Sequence, residues 1–306
     1  MANTAILFPG QGSQYVGMGK DWYEGDPEAR ELFDGANEIL GIDLRKICFD
    51  GPEEELRQTR NTQPAIFIHG VLVAKLTHHL DASAAAGHSL GEYTALVAAG
   101  AMGFEDGLRL VRLRGELMQE AGETRKGTMA AIVGLPVADL EDVCREASVS
   151  GIVQPANFNS PGQIVVSGEV GGVRRAMELA KQRGAKLAKE LVVSGAFHSP
   201  LMESARHGLK DALEKATIRD AAIPVYANVT AEPVREGSAI RDLLFRQLTS
   251  PVRWEQTIEN MVRDGMDTFC EMGPGKVLQG LVKRTKDGVR VLGIDKHADL
   301  NELARQ

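Results

Sequence analysis

The chain is poor in the features that would assign it to a specialised class. It has three cysteines in 306 residues, Cys48, Cys144 and Cys270. An odd number so widely spaced offers neither a disulfide framework nor paired metal ligands, and points to a reducing, cytoplasmic setting. No run approaches the roughly 18 apolar residues of a membrane span. The opening MANTAILFPGQGSQ has no basic stretch and too short an apolar one for a secretory signal. There is no internal repeat, low-complexity tract or long linker. Positive charge is not in surplus: the formal net charge is −7, which excludes bulk attraction to nucleic acid or anionic membrane. Neither phosphate-loop pattern is complete after Gly10. Tyr15 stands where G-x-G-x-x-G needs glycine, and G-x-x-x-x-G-K-[ST] fails at Gln14 and Asp21. A nucleotide cofactor is therefore not expected.

What is present is an ordinary globular mixture, 43 % apolar and 25 % charged. Its length suits one large α/β domain with a smaller insertion. Short apolar segments alternate with helical periodicity. Strands are expected at Thr4–Phe8, 83–86, 224–228, Thr268–Glu271 and 289–294. Helices are expected at 65–76, with Pro64 near the first turn, at 92–99 and at 104–121. That alternation implies a mostly parallel sheet with its site at the strands' C-terminal ends. Residues 127–193 read differently. Strands at 129–135, 152–157, 163–167 and 185–193 enclose helices at 137–147 and 172–183, with an Asn-Ser-Pro-Gly turn between the middle strands. The order β-α-β-β-α-β is that of a ferredoxin-like unit. The expected division is thus a catalytic domain of residues 1–126 and 194–306 with residues 127–193 inserted.

The sharpest chemical signal is GHSLGE at 87–92, a G-x-S-x-G sequence. Such a motif places serine at the tip of a tight strand-to-helix turn, and the helix start behind it offers free N–H groups to an oxyanion. Ser89 is the candidate nucleophile. His88 diverges from its neighbour on so tight a turn and is expected to pack beneath it. His78 and His79, at a helix's polar end, read as surface residues. His198 lies in Gly-Ala-Phe-His-Ser-Pro, where a strand ends and a helix begins after Ser199-Pro200, and is the candidate base. The glycine turn after the first strand can supply a second oxyanion donor, with Gln11 the natural one. On the helix from Phe104, Arg114 has apolar neighbours at Leu110, Val111, Leu117 and Met118, whereas Arg112 has Glu116 four residues on and belongs to the solvated face. A buried guanidinium needs an oxygen partner. An internal carboxylate and a substrate carboxylate gripped by the planar fork both satisfy that need at this point.

The markers PGQGSQ (9–14), TQPA (62–65), GHSLGE (87–92), RLRG (112–115), NFNSPGQ (157–163), AFHSP (196–200) and SPVRW (250–254) occur in this order along nearly the whole chain. In this order they resemble the malonyl-CoA:acyl carrier protein transacylases of fatty acid and polyketide synthesis. The resemblance implies a hydrolase-like α/β core with a ferredoxin-like insertion. It implies Ser89 as nucleophile, His198 as base, and the amides of Gln11 and Leu90 as the oxyanion hole. Arg114 would bind the malonyl carboxylate. Gln247 would orient the histidine through its backbone carbonyl, giving a Ser–His dyad with no acidic third member. Gln63, His88 and Asn157 would line the pocket. Phe197, before the histidine, accompanies malonyl choice in related polyketide acyltransferases, although Gly195 departs from the first position of their four-residue motif. The implied partners are malonyl-CoA as substrate and acyl carrier protein, with no metal or redox cofactor. A stand-alone polyketide acyltransferase and a serine thioesterase or esterase are the alternatives. Residues 171–190 carry a local +4, so Arg174, Arg175, Lys181 and Arg183 are expected to offer a docking patch to an acidic carrier.

Overall fold

In the computed structural model, which describes residues 3–77 and 81–300, ten strands form two sheets. They are β1 (Thr4–Phe8), β2 (Ala82–Gly87), β3 (Gly127–Val133), β4 (Val153–Ser160), β5 (Gln163–Glu169), β6 (Leu187–Glu190), β7 (Val225–Tyr226), β8 (Pro233–Val234), β9 (Thr268–Met272) and β10 (Arg290–Ile294). The larger sheet has the order β10-β9-β1-β2-β7-β8, parallel except for the edge pair β7–β8. β1 is its middle, and its apolar run Ala-Ile-Leu-Phe is buried on both faces, as a central parallel strand requires. β2 is built from small residues. Ala84, Ala85 and Ala86 are fully buried, and their size lets the helix Gly91–Ala98 double back closely over the sheet.

The smaller sheet, β4-β5-β3-β6, is antiparallel. With the helices Val137–Ala147 and Val170–Gln182 it has ferredoxin-like connectivity. Its side chains alternate as a strand's must. Ile164 and Val166 join Leu140, Val143, Val173 and Ala176 in a separate core under those two helices, while Val165 and Met129 face the large domain. β4 is bulged, and it is stitched to the large domain at the bulge: Phe158 N–H donates to Val252 O (2.9 Å) and Val252 N–H to Ala156 O (2.8 Å).

Several expected boundaries shift. The helix expected from residue 65 starts at Thr59, with Pro64 as its sixth residue. An interior proline orphans the carbonyl four residues back; here Arg112 Nη1 donates to that Arg60 carbonyl at 3.0 Å, which removes the usual penalty. The strand expected at 224–228 shrinks to Val225–Tyr226, because Asn228 leaves the ladder to bond the turn around Ser89. The strand expected at 185–193 pairs only over Leu187–Glu190. β4 runs on to Ser160, so the hairpin turn is reduced to Pro161-Gly162. His78 and His79 lie outside the described residues.

Candidate active site

The site begins where β2 ends. The chain reverses so tightly that a Cβ on Gly87 would lie 1.8 Å from the carbonyl carbon of Gly91, and one on Gly91 would lie 2.1 Å from the Phe8 carbonyl oxygen. Only glycine fits either place. Between them Ser89 takes φ 51°, and His198 takes φ 56° on the loop after residue 193. Non-glycine residues pay roughly 1–2 kcal/mol for the left-handed region, and such strain gathers at functional sites.

That strain is held by a network. Ser89 N–H donates to Asn228 Oδ1 (2.7 Å), while Asn228 Nδ2 donates to Gly87 O (2.7 Å). The Ser89 hydroxyl lies 2.8 Å from His198 Nε2. His198 Nδ1 faces two carbonyls, Gln247 O at 3.0 Å and Ser250 O at 3.1 Å. Carbonyls only accept, so Nδ1 carries the hydrogen and Nε2 keeps its lone pair for the serine. Gln154 of the insertion donates from Nε2 to His198 O (3.1 Å), a contact that ties the histidine loop to β4. Burial is the main cause that pushes His198 down to about 3, helped by the charge of Arg114 and opposed by the Gln247 carbonyl. The imidazole is therefore neutral and able to accept a proton across the whole neutral range.

Arg114 is fully buried. Its oxygen partners within the chain are amide carbonyls and a hydroxyl rather than an Asp or Glu. Nη1 donates to Gln63 Oε1 (2.8 Å), and Nη2 donates to Gln247 Oε1 (2.9 Å) and to Ser89 Oγ (3.1 Å). Among the described residues Nε makes no hydrogen bond, and the guanidinium lies 5.6 Å from the Tyr93 ring centroid. Among the described residues no ion pair occupies it. By contrast Arg112 pairs with Glu116 at 2.6 Å on the solvated face, as its spacing predicts.

A cleft of about 260 Å³ collects Gln11, Gln63, His88, Ser89, Leu90, Arg114, Asn157, Phe197 and His198 on its walls. Met129 and Val165 of the smaller sheet close it from the other side, so both sheets build the cleft. Gln247 lies behind the wall and reaches the site through its backbone and side chain. Neither the Gln11 nor the Leu90 amide donates to another group among the described residues, which leaves both available to a developing oxyanion. His88 sits under the turn, bonded to Asn159 Oδ1 (2.9 Å) and packed against Trp254 at 5.5 Å between centroids.

Sequence reasoning missed Glu92, Asn228, Gln154 and Ser250. Glu92 stands inside GHSLGE and Ser250 opens SPVRW, so both were available to be noticed; Asn228 and Gln154 are brought in by tertiary structure alone. Glu92 Oε2 accepts from Gln247 Nε2 (2.8 Å) and Asn228 N–H (3.0 Å). Burial pushes its carboxyl up to about 7, against the pull of those two donors and of Arg114. The basic helix Val170–Gln182 covers the outer face of the smaller sheet, away from the cleft. Three of the expected docking residues are ion-paired: Arg174 with Glu190 (3.2 Å), Arg175 with Glu178 (3.1 Å) and, just past the helix, Arg183 with Glu146 (2.7 Å).

Residues 6–300 match a family profile described as an acyl transferase domain. A Bacillus subtilis protein named malonyl CoA-acyl carrier protein transacylase is 47 % identical over 100 % of this chain and 97 % of its own length. The Escherichia coli K12 protein of the same name is 44 % identical over 94 % of each chain. Among solved structures, an acyl carrier protein S-malonyltransferase from Vibrio cholerae superposes with a TM-score of 0.95 at 42 % identity, covering 99 % of this chain and 100 % of the other. A malonyl-transacylase solved in complex with its type II PKS acyl-carrier protein gives a TM-score of 0.95 at 40 % identity and full coverage of both chains.

Proposed function

The chain belongs to the acyltransferase family of the malonyl-CoA–acyl carrier protein transacylases and, as an enzyme of that family, moves a malonyl group from coenzyme A to acyl carrier protein; we propose that Ser89 carries the group between the two. The observation that supports this is the 2.8 Å contact of Ser89 Oγ with His198 Nε2, made beside a buried guanidinium that has no ionic partner among the described residues. His198 takes the hydroxyl proton as Ser89 Oγ attacks the thioester carbonyl. The amides of Gln11 and Leu90 receive the oxyanion, a contribution of about 3 kcal/mol per donor. The C–S bond breaks, and His198 Nε2–H returns its proton to the departing coenzyme A thiolate. The malonyl-serine ester then keeps its free carboxylate on Arg114 until the carrier's phosphopantetheine thiol attacks and the same proton transfers repeat. Each step balances with the chain's own groups, and storage on serine makes the kinetics ping-pong. Residues 1–126 and 194–306 supply the machinery, while 127–193 supply the opposite wall of the cleft. Three buried free thiols accord with a reducing, cytoplasmic setting.

Water could in principle take the acyl group in place of the carrier thiol. Incubation with malonyl-CoA with and without carrier separates the outcomes. Transfer leaves a stable malonyl-enzyme that the carrier discharges, whereas a thioesterase releases malonate without it. Where the carrier docks is a separate matter. Docking on Arg174, Arg175, Lys181 and Arg183 requires a carrier to compete with three ion pairs on a face turned from the cleft. Charge reversal at Arg174 and Arg175 that raises the carrier KM and its salt sensitivity supports this docking; an unchanged KM removes it.

A further inference from the structure

Arg114 poses a problem that the transfer scheme leaves open. A buried cation must be held firmly enough to stay put before substrate arrives, yet a direct ion pair would compete with the substrate carboxylate, and breaking such a pair is costly. The site solves this with one amide. Gln247 Nε2 donates to Glu92 Oε2 (2.8 Å) and to Ser89 O (3.0 Å). Ser89 O only accepts, and Glu92 Oε2 is already the acceptor of Asn228 N–H, so the amide cannot turn over without setting its oxygen against two others. Its Oε1 is thereby fixed toward Arg114 Nη2 at 2.9 Å. The same Glu92 oxygen accepts from Asn228 N–H (3.0 Å), and Asn228 holds the serine turn at both Ser89 N and Gly87 O.

Building on the carboxylate role of Arg114 given above, we propose that Glu92 is a positioning residue for malonyl selection: through the Gln247 side chain it holds the Arg114 guanidinium in register with Ser89. Gln247 thus serves both halves of the site, the histidine through its backbone carbonyl (3.0 Å to His198 Nδ1) and the arginine through its amide. Glu92 touches neither the acyl group nor the reacting atoms. Its counter-charge reaches Arg114 only at one remove, which leaves the guanidinium anchored and still open to an incoming carboxylate.

The test is the ratio of malonyl to acetyl transfer, because acetyl has no carboxylate for Arg114. Loss of the Asn228 contact affects the serine turn and hence both substrates; the ratio isolates the relay. Glu92→Leu lowers that ratio by about tenfold, the effect of losing a hydrogen bond in a charged network. Glu92→Gln, which keeps an acceptor oxygen in place, holds it near the wild-type value. In an Arg114→Ala background Glu92→Leu changes the ratio no further, since there is then no guanidinium to position. Should Glu92→Leu not fold, Glu92→Asp retracts the acceptor by one methylene at constant charge and lowers the ratio in its place. Equal losses on the two substrates, or a full further loss in the Arg114→Ala background, overturn the proposal. If Arg114→Ala lowers malonyl and acetyl transfer equally, the carboxylate reading of the cleft falls instead, and the two failures are told apart.

Discussion

Ser89, His198 and Arg114 were each legible by a different signal. Ser89 stood out by its flanking glycines, His198 by its place at a strand–loop–helix junction, and Arg114 by four apolar neighbours at helical spacing. What remained hidden was the set of groups that hold them. Asn228 reads as the end of a strand and Gln154 as an ordinary strand residue until the fold brings each to the turn or the histidine loop. The partner of Arg114 was legible only in kind, an oxygen, because amide carbonyls from residues 63 and 247 come from helices far apart in sequence. Arg114→Ala is expected to lower kcat/KM for malonyl-CoA by roughly a hundredfold, the cost of removing one partner of a buried charged pair, while acetyl transfer falls far less; steady-state assays with both thioesters check this. Phe197 lines the cleft and is buried. Phe197→Ser should raise methylmalonyl relative to malonyl transfer by about tenfold, the scale of one methyl group in a pocket, in a competition assay. For His198, burial and Arg114 depress the pKa to about 3. The charged form that cannot act as base is populated only below that value, so acylation after a rapid pH jump should keep its rate through the ordinary histidine range near about 6.5. A decline centred at the ordinary value would show an exposed, unperturbed imidazole.

At the scale of elements, the strand–turn–helix from Ala82 to Ala98 was the most legible, since alanine and glycine there answer a backbone crossing that no larger residue permits. Gly91→Ala should cost both stability and activity. Its methyl would press on the Phe8 carbonyl at 2.1 Å, displacing β1 and with it the Gln11 amide; thermal melting together with the acylation rate reads both. Periodicity was least useful over residues 20–56, where three of the helices run only four to seven residues and bury few side chains each. The longer helix Pro27–Leu40 does carry its own punctuation. Asp26 Oδ1 accepts from Glu28 N–H (2.8 Å), and Gly41 closes the far end at φ 66°. Pro64 misplaced the start of the next helix because the donor that repairs it, Arg112, lies 52 residues away in sequence.

For the whole molecule, alternation of strands and helices was sufficient to anticipate a parallel sheet and a separate antiparallel unit. It could not convey that the cleft is shared. Val165 and Met129 face Ser89 across it only because β4 is bonded to residue 252 at a bulge. A second global property follows from burial. His69 is fully buried, 3.5 Å from Asp295 Oδ1, and burial pushes it down to about 4. Between the unfolded value near about 6.5 and this folded value the unfolded chain binds more protons, so stability falls as pH falls, by up to about 1.4 kcal/mol per pH unit for each such histidine, and the loss levels off below the folded value. His69→Gln should flatten the dependence of Tm on pH across that window. The account as a whole depends on an acyl group residing on one serine. Intact-mass measurement after exposure to malonyl-CoA, without carrier, should show one malonyl group on the wild-type chain, none on Ser89→Ala, and release of the adduct when carrier is added. A malonyl adduct of equal occupancy on Ser89→Ala would contradict it.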